Sequence, residues 1–267
     1  MDLHTAAERG TAGQVAALAA EAPDVDGLAW GRTPLWRAVF ENKPDNARAL
    51  VAAGADPYRE MMAGWSPARL AAAGPTPDLF GPPAELSSAE TEMVAEARRL
   101  AAALGSVVEE GIGLACVAGI DVAEATRRLA GTSCAEEDTL DVVGVTGVPG
   151  GVVVMQPYGY RPQDTDVHER LSAGTVCYGL YENPKSGSQG SVSRDGELLE
   201  GDLVPGGDPA DDDSAREVLL AYLHRDDSVA YACAYPGLRL TDARAVVGPP
   251  DVWLRLPDVH ETATRGV

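Results

Sequence analysis

Two stretches, GRTPLWRAVF at residues 31–40 and GWSPARLAAAG at residues 64–74, share a pattern at a 33-residue offset. Thr33-Pro34 in the first aligns with Ser66-Pro67 in the second. A hydroxyl side chain before a helix caps its free N–H groups, and proline suits the first helical position because its φ angle is already helical. The repeated pair therefore predicts two helices that begin at corresponding points of an internal repeat.

The sequence between these two starts indicates a hairpin of two helices. Leu35, Ala38 and Val39 form one apolar stripe at helical spacing. After a turn at residues 42–45, a second apolar pattern ends at Gly54, a residue well suited to terminate a helix. We therefore expect each repeat to be a pair of helices followed by a turn.

This repeat resembles the ankyrin repeat. The 33-residue period, the Thr-Pro-Leu start at residues 33–35 and the Gly-Ala-Asp ending at residues 54–56 match that family. Residues 2–26 resemble a degenerate first repeat without the Thr-Pro pair, as is common in terminal repeats. The resemblance implies a short ankyrin helical-hairpin solenoid whose task is to bind another protein.

The array is expected to end in a closing helix. Gly and Pro residues over 74–84 predict a loop, and a helical pattern resumes over residues 86–105. Ser87 and Glu90 have the spacing of a capping box at the start of that helix. We therefore predict a first domain over residues 1–105.

Large side chains lie at the turns and first helices through which such arrays contact partners. We interpret Trp30, Trp36, Arg37, Met61 and Met62 as candidate partner-binding residues, because Trp, Met and Arg are enriched in protein interfaces. The alternative is that aromatic residues such as Trp36 pack between the repeats or against the second domain. In that case their loss would lower stability and not affinity.

From residue 106 onward, short apolar runs separated by Gly, Pro and acidic turns indicate strands. We predict an α+β domain over residues 106–267 with a largely antiparallel sheet. The expected strands are 112–118, 140–147, 151–157, 175–182, 189–194, 197–204, 229–234 and 251–255, and the expected helices are 121–130, 166–172 and 214–224. Asp195-Gly196 predicts a tight hairpin turn.

This second domain resembles a family of uncharacterised α/β domains from actinobacteria. The segments that carry the resemblance are GIGLACVAGIDVAEATRRLAG, GGVVVMQPYGYR, ERLSAGTVCYGLYEN and SVSRDGELLEGDLVP, within residues 108–256. The match is one of order and pattern and brings no known activity with it.

The net charge of −20, from 41 acidic and 21 basic residues, disfavours nucleic acid and anionic membranes as partners and favours a basic protein. A solvated acidic surface that only aids solubility is the alternative. The chain contains neither a run of about 18 apolar residues nor a signal-peptide pattern, which predicts a cytoplasmic protein. Most of the four cysteines lie in apolar runs, so we expect reduced, unliganded thiols.

We find no motif typical of a catalytic, cofactor or metal site. The glycine-rich stretch 144–151 lacks the Gly-Lys-Ser/Thr ending of a phosphate loop, and the four histidines are dispersed. Asp211-Asp212-Asp213 has the oxygen ligands that calcium prefers, but it lacks EF-hand spacing, and we interpret it as a solvated acidic loop at the start of helix 214–224. We therefore expect no cofactor and no enzyme activity.

Three functions remain open from the sequence. The first is an intracellular adaptor or inhibitor that binds a protein through the repeats. A narrower version is an immunity-type inhibitor of a basic toxin, since acidic inhibitors associate rapidly with basic targets. The third is a small-molecule-binding or hydrolytic α+β domain with a pocket lined by Tyr158, Tyr160, Arg161 and Tyr178.

Overall fold

The computed structural model describes residues 1–105, 111–137, 139–185 and 187–257. In these residues it contains eleven α-helices and one eight-stranded sheet, which confirms a mixed α and β protein. None of the helices described has the length and apolar character needed to cross a bilayer.

The helices have the following bounds: α1 Leu3–Arg9, α2 Ala12–Glu21, α3 Pro34–Phe40, α4 Pro44–Ala52, α5 Pro67–Ala73, α6 Ser88–Leu104, α7 Val122–Leu129, α8 Thr165–Ser172, α9 Ala215–Leu223, α10 Ser228–Ala234 and α11 Arg244–Val247. The strands are β1 Ile112–Ala118, β2 Thr132–Cys134, β3 Val142–Val148, β4 Gly151–Pro157, β5 Val176–Asn183, β6 Gly187–Arg194, β7 Glu197–Leu203 and β8 Val252–Arg255.

The chain forms two compact units that are not continuous in sequence. Residues 1–95 and 206–225 form one unit, called here the helical unit, and residues 96–205 with 226–267 form the other, called the sheet unit. The segment 206–225, which contains α9, therefore belongs with the N-terminal helices. A single boundary between residues 105 and 106 does not describe this division.

Two helices of the helical unit begin where the sequence predicts. Thr33 accepts a hydrogen bond from the N–H of Trp36, and Ser66 accepts one from the N–H of Arg69. Proline follows each cap at the first helical position. Because this chemistry depends only on neighbouring residues, the starts of α3 and α5 could be predicted locally.

Successive helices of this unit pack on a shared core. Fully buried Leu35, Leu50 and Leu70 come from α3, α4 and α5. The buried amide of Asn46 donates to the carbonyls of Ala6, Ala7 and Gly10, at 3.0 to 3.3 Å. A polar side chain thus joins α4 to the end of α1, and its burial is offset by three hydrogen bonds.

The sheet unit is built on strands in the order β2-β8-β3-β4-β1-β5-β6-β7. All of the described strand pairs are antiparallel, as predicted. Asp195 and Gly196 have φ angles of 55° and 85° between β6 and β7, which confirms the predicted tight turn.

Both faces of the sheet are covered by helices. On β1, Leu114 and Cys116 contribute to a core with residues of α6, α10 and α11. Ala115 and Val117, on the opposite face, contribute to a second core with residues of α7 and α8. Alternate side chains of one strand therefore serve two cores, as the period of a strand requires.

One predicted strand is wrong. Residues 229–234 form α10, in which Val229, Ala230, Ala232 and Cys233 are buried. These positions lie on one helical face, and Asp227 caps the helix at the N–H of Ala230. The alternation of large and small residues in this stretch, which suggests a strand, is overridden by the core that α10 joins.

Candidate partner-binding surface

The first turn of the helical unit presents Trp30 to solvent. Ala29 and Arg32 exchange two backbone hydrogen bonds of 3.0 and 3.1 Å, which close the turn. Trp30 and Gly31 between them have φ angles of 54° and 72°. The Trp30 side chain is 86% exposed, so it contributes almost nothing to packing.

Arg32 fixes this turn to the segment 206–225 of the same unit. Its guanidinium group lies 3.1 Å from a carboxylate oxygen of Asp208 and 2.8 Å from one of Asp211. It also donates to the carbonyls of Trp30 and Pro209. The Arg32 side chain is 7% exposed, and these acceptors take up four of its five N–H donors.

A second turn with a similar backbone conformation follows at the 33-residue offset. The N–H of Trp65 donates to the carbonyl of Met62, and Ala63 and Gly64 have φ angles of 46° and 78°. Trp65, which corresponds to Arg32, donates its indole N–H to the carbonyl of Ala215 at 2.8 Å. Both turns therefore contact the segment 206–225 from equivalent positions.

The chain segments that precede the two turns are also joined to each other. The Asp26 carboxylate accepts a hydrogen bond of 3.1 Å from the N–H of Asp56, and the Asp26 carbonyl accepts one of 2.9 Å from Arg59. Leu28 and Tyr58, which lie beside these residues in the chain, are exposed. The edge of the unit thus carries exposed apolar side chains among acidic residues.

Helix α9 covers part of α3 and α5. The Tyr222 ring packs 5.8 Å from that of Phe40, and its hydroxyl occupies the space above Gly74. Arg225, just after α9, donates to the carbonyl of Phe40. The chain's own helix therefore occupies this side of α3 and α5, whereas the edge that carries the first turn stays accessible at Trp30.

We call this accessible edge the loop edge and define it as the two turns, residues 29–32 and 62–65, with the acidic segment 208–211. Asp208 and Asp211 remain 50% and 79% exposed although both contact Arg32. The loop edge therefore combines one exposed indole ring with carboxylates that still face solvent.

The five predicted binding residues have different environments. Trp30 is exposed, whereas Trp36 and Met62 are buried among the packed helices and turns. Both side chains therefore belong to the core of the helical unit and not to its accessible surface, which for Trp36 is the alternative that the sequence leaves open. Met61 is half-buried. Arg37 is also half-buried and pairs with Glu8 of α1.

The sequence analysis assigns none of the three charged members of the loop edge, Arg32, Asp208 and Asp211, to a binding surface. Asp208 and Asp211 lie 176 and 179 positions after Arg32 in the chain, so no local pattern connects them. The available signal was the 33-residue offset itself. It aligns Trp30 with Ala63 and Arg32 with Trp65, which marks both positions as departures from the repeat.

The side chains proposed to line a pocket in the sheet unit do not converge. Tyr178 is fully buried between Tyr231 and Tyr235, with ring centroids 5.4 and 4.9 Å away. Arg161 is buried and paired with Asp164 and Asp166 at 2.7 and 2.6 Å. Tyr158 and Tyr160 are exposed. This arrangement is that of separate structural contacts.

A buried polar cluster lies between α8 and the sheet. Nδ1 of His168 is 3.1 Å from the Ser193 hydroxyl, and the Ser191 hydroxyl donates to Gln163 at 2.6 Å. Burial lowers the pKa of His168 to about 4, so the ring is neutral at pH 7. His168 and Ser193 are both almost fully buried, which denies a substrate access to this Ser-His pair.

A small acidic cleft of about 200 Å³ is lined by Glu182, Asp227 and Ser228, among others. The Ser228 hydroxyl donates to the Glu182 carboxylate. Within the part of the chain that the structure describes, no group of three His, Cys, Asp or Glu residues is arranged to hold a metal ion.

Comparison with known proteins returned no match, either to a family model or to a curated protein.

Proposed function

We propose that this protein is a binding protein whose helical repeats form a short ankyrin array and hold a positively charged protein partner at the loop edge. On this proposal it acts by association and not by catalysis. The protein could act as an adaptor or as an inhibitor of a basic protein such as a toxin. Both functions use the same surface and differ only in whether binding blocks the activity of the partner.

The observation that carries this proposal is the contrast between Trp30 and Ala63. The same turn with the same left-handed backbone is made with alanine at position 63, so the fold does not require tryptophan at position 30. A bulky side chain at positive φ is unfavourable, and an indole that is 86% exposed returns little packing energy. An exposed tryptophan at such a position is typical of an interface anchor.

The helical unit also has the charge for a basic partner. Residues 1–95 and 206–225 carry 18 acidic and 9 basic residues, a net charge of −9. Opposite charge accelerates association, and the acceleration weakens as salt screens the surface. Because α9 covers one side of α3 and α5, the loop edge is the surface best suited to docking.

The proposal is tested by quantitative capture from the native cell extract with three immobilised proteins: the unchanged chain, Trp30→Ala and Leu199→Ala. Leu199 is an exposed apolar residue of β7 in the sheet unit and serves as the matched control. We expect at least one basic protein to be retained by the unchanged chain and by Leu199→Ala, and to be lost with Trp30→Ala.

The captured protein is then purified and titrated against the same three proteins at low and high salt. We expect Trp30→Ala to weaken binding by at least about tenfold, the effect of losing about 1.4 kcal/mol. Equal affinity of the Trp30→Ala variant and the unchanged chain for every retained protein would remove the loop edge as the binding surface.

A further inference from the structure

We infer that the loop edge recognises an arginine side chain of the partner, seated between the indole ring of Trp30 and the carboxylate of Asp211. This inference rests on the proposed binding function and specifies its chemistry. The occupant is a guanidinium group carried by an exposed, positively charged segment of a protein.

The first support is the exposed ring itself. Tryptophan presents the most electron-rich aromatic face among the side chains, and a cation over that face is attracted to it. Since Trp30 is 86% exposed, its ring is accessible to a cation that arrives from outside. Arginine suits such a site because its planar group stacks on a ring while its N–H groups donate at the edge.

The second support is the position and accessibility of the carboxylates. Asp211 stands against the turn, with its Oδ1 atom 3.4 Å from where a side chain of Gly31 would begin. Asp208 and Asp211 share one cation, Arg32, whose side chain is 7% exposed. Two carboxylates against one buried guanidinium leave a net negative charge beside Trp30, and this charge complements a second cation.

The third support is that the chain already uses this chemistry at its second turn. The guanidinium carbon of Arg69 lies 4.5 Å from the ring centroid of Trp65, and Arg69 donates to the Glu90 carboxylate at 2.7 Å. At the second turn, the Trp65 ring and the Glu90 carboxylate together bind an arginine of the same chain. The first turn offers the same two groups, Trp30 and Asp211, to solvent.

The experiment uses two synthetic nine-residue peptides of glycine and serine that differ only at the centre, one with arginine and the other with its neutral isostere citrulline. Each is titrated into the full chain at low salt while the indole N–H resonances are followed by NMR. The Trp30 signal is assigned from the Trp30→Phe variant, and Trp253 of the sheet unit serves as the reference signal.

We expect the arginine peptide to shift the Trp30 signal saturably and to bind at least about tenfold more tightly than the citrulline peptide. Asp211→Asn removes a charge but keeps an acceptor for Arg32, and we expect it to weaken arginine binding at least about threefold. Asp45→Asn, which removes an exposed carboxylate on α4, should leave the affinity unchanged. The melting temperature of each variant verifies that it is folded.

The inference is overturned if the two peptides bind equally, if neither shifts the Trp30 signal, or if Asp211→Asn binds the arginine peptide as well as the unchanged chain does. The proposed function is retained after any of these results if the purified partner still binds the unchanged chain more tightly than it binds Trp30→Ala. If the partner binds Trp30→Ala normally, the proposed function itself fails, so the two failures are distinguishable.

Discussion

Ala63 and Trp30 hold the same position in two successive turns of the helical unit, related by the 33-residue offset, with φ angles of 46° and 54°. In each turn a glycine with positive φ follows, and the next residue donates from its side chain to the segment 206–225. The repeat therefore provides an internal reference in which one turn carries a large side chain and the other does not.

From this relationship we predict that Trp30→Ala leaves the stability of the protein unchanged. Alanine already occupies the equivalent backbone conformation at position 63, and Trp30 buries little surface, so the free energy of unfolding should change by less than about 0.5 kcal/mol. Trp36→Ala, which empties a fully buried site, should cost about 3 to 5 kcal/mol. Urea unfolding of both variants checks this, and a loss of equal size in the two would contradict it.

Arg32→Ala should loosen the acidic segment from the first turn. The change leaves Asp208 and Asp211 without their shared cation and removes donors to two backbone carbonyls, so we expect about 2 kcal/mol of destabilisation. Hydrogen exchange should accelerate in residues 206–213. The control is Arg48→Ala, which breaks an exposed ion pair with Asp45 and should cost about 0.5 kcal/mol or less.

Two buried histidines predict a loss of stability in mild acid. Burial lowers the pKa of His168 and that of His224 to about 4, whereas an unfolded histidine titrates near 6.5. The unfolded chain therefore binds more protons between these values, and stability that is fully present above pH 6.5 is lost as the pH falls towards 4.

At pH 5 each histidine should lower the free energy of unfolding by about 2 kcal/mol relative to its value at pH 7.5. Unfolding free energies of the unchanged chain and of His224→Gln, measured at both pH values, test this. On acidification the variant should lose less stability than the unchanged chain does, by the contribution of one histidine. An identical pH dependence for the two proteins would show that His224 is not buried in its neutral form.

The four thiols should differ sharply in reactivity. Cys116, Cys177 and Cys233 are fully buried in the cores of the sheet unit, whereas Cys134 is partly exposed on β2. Contact with the Cys233 thiol, together with burial, raises the pKa of Cys116, and burial raises that of Cys177. A thiol reagent should therefore label Cys134 alone in the folded protein and all four cysteines in urea. Rapid labelling of a second thiol without denaturant would contradict this burial.

The parts of the fold that sequence predicts are those set by neighbouring residues. Thr33-Pro34 and Ser66-Pro67 begin helices because cap and proline act within one turn. The valine-rich stretches of β3 and β4 form strands because apolar runs of that length suit a sheet covered on both faces.

The parts that escaped prediction depend on contacts distant in sequence. The segment 206–225 joins the helical unit through Arg32, Trp65 and Phe40, and nothing near Asp208 in the chain indicates this. The burial of Trp36 depends in the same way on neighbouring helices. Among the exposed side chains of the loop edge, Trp30 could be identified because an unusual residue at a turn is visible without knowledge of its neighbours.

The sheet unit offers a last prediction at Gly179, in the centre of β5. A methyl group there would lie 2.1 Å from Oε1 of Gln163 and 2.3 Å from the imidazole ring of His168, a residue of α8 whose Nδ1 contacts the Ser193 hydroxyl. Gly179→Ala should therefore displace His168 and destabilise the protein by about 1 to 3 kcal/mol, the usual cost of overpacking a core. Gly201→Ala, in β7, is the matched control, because its methyl group would meet no atom within 4 Å. Thermal unfolding of both variants decides the point, and equal melting temperatures would mean that α8 can move away from the sheet at little cost.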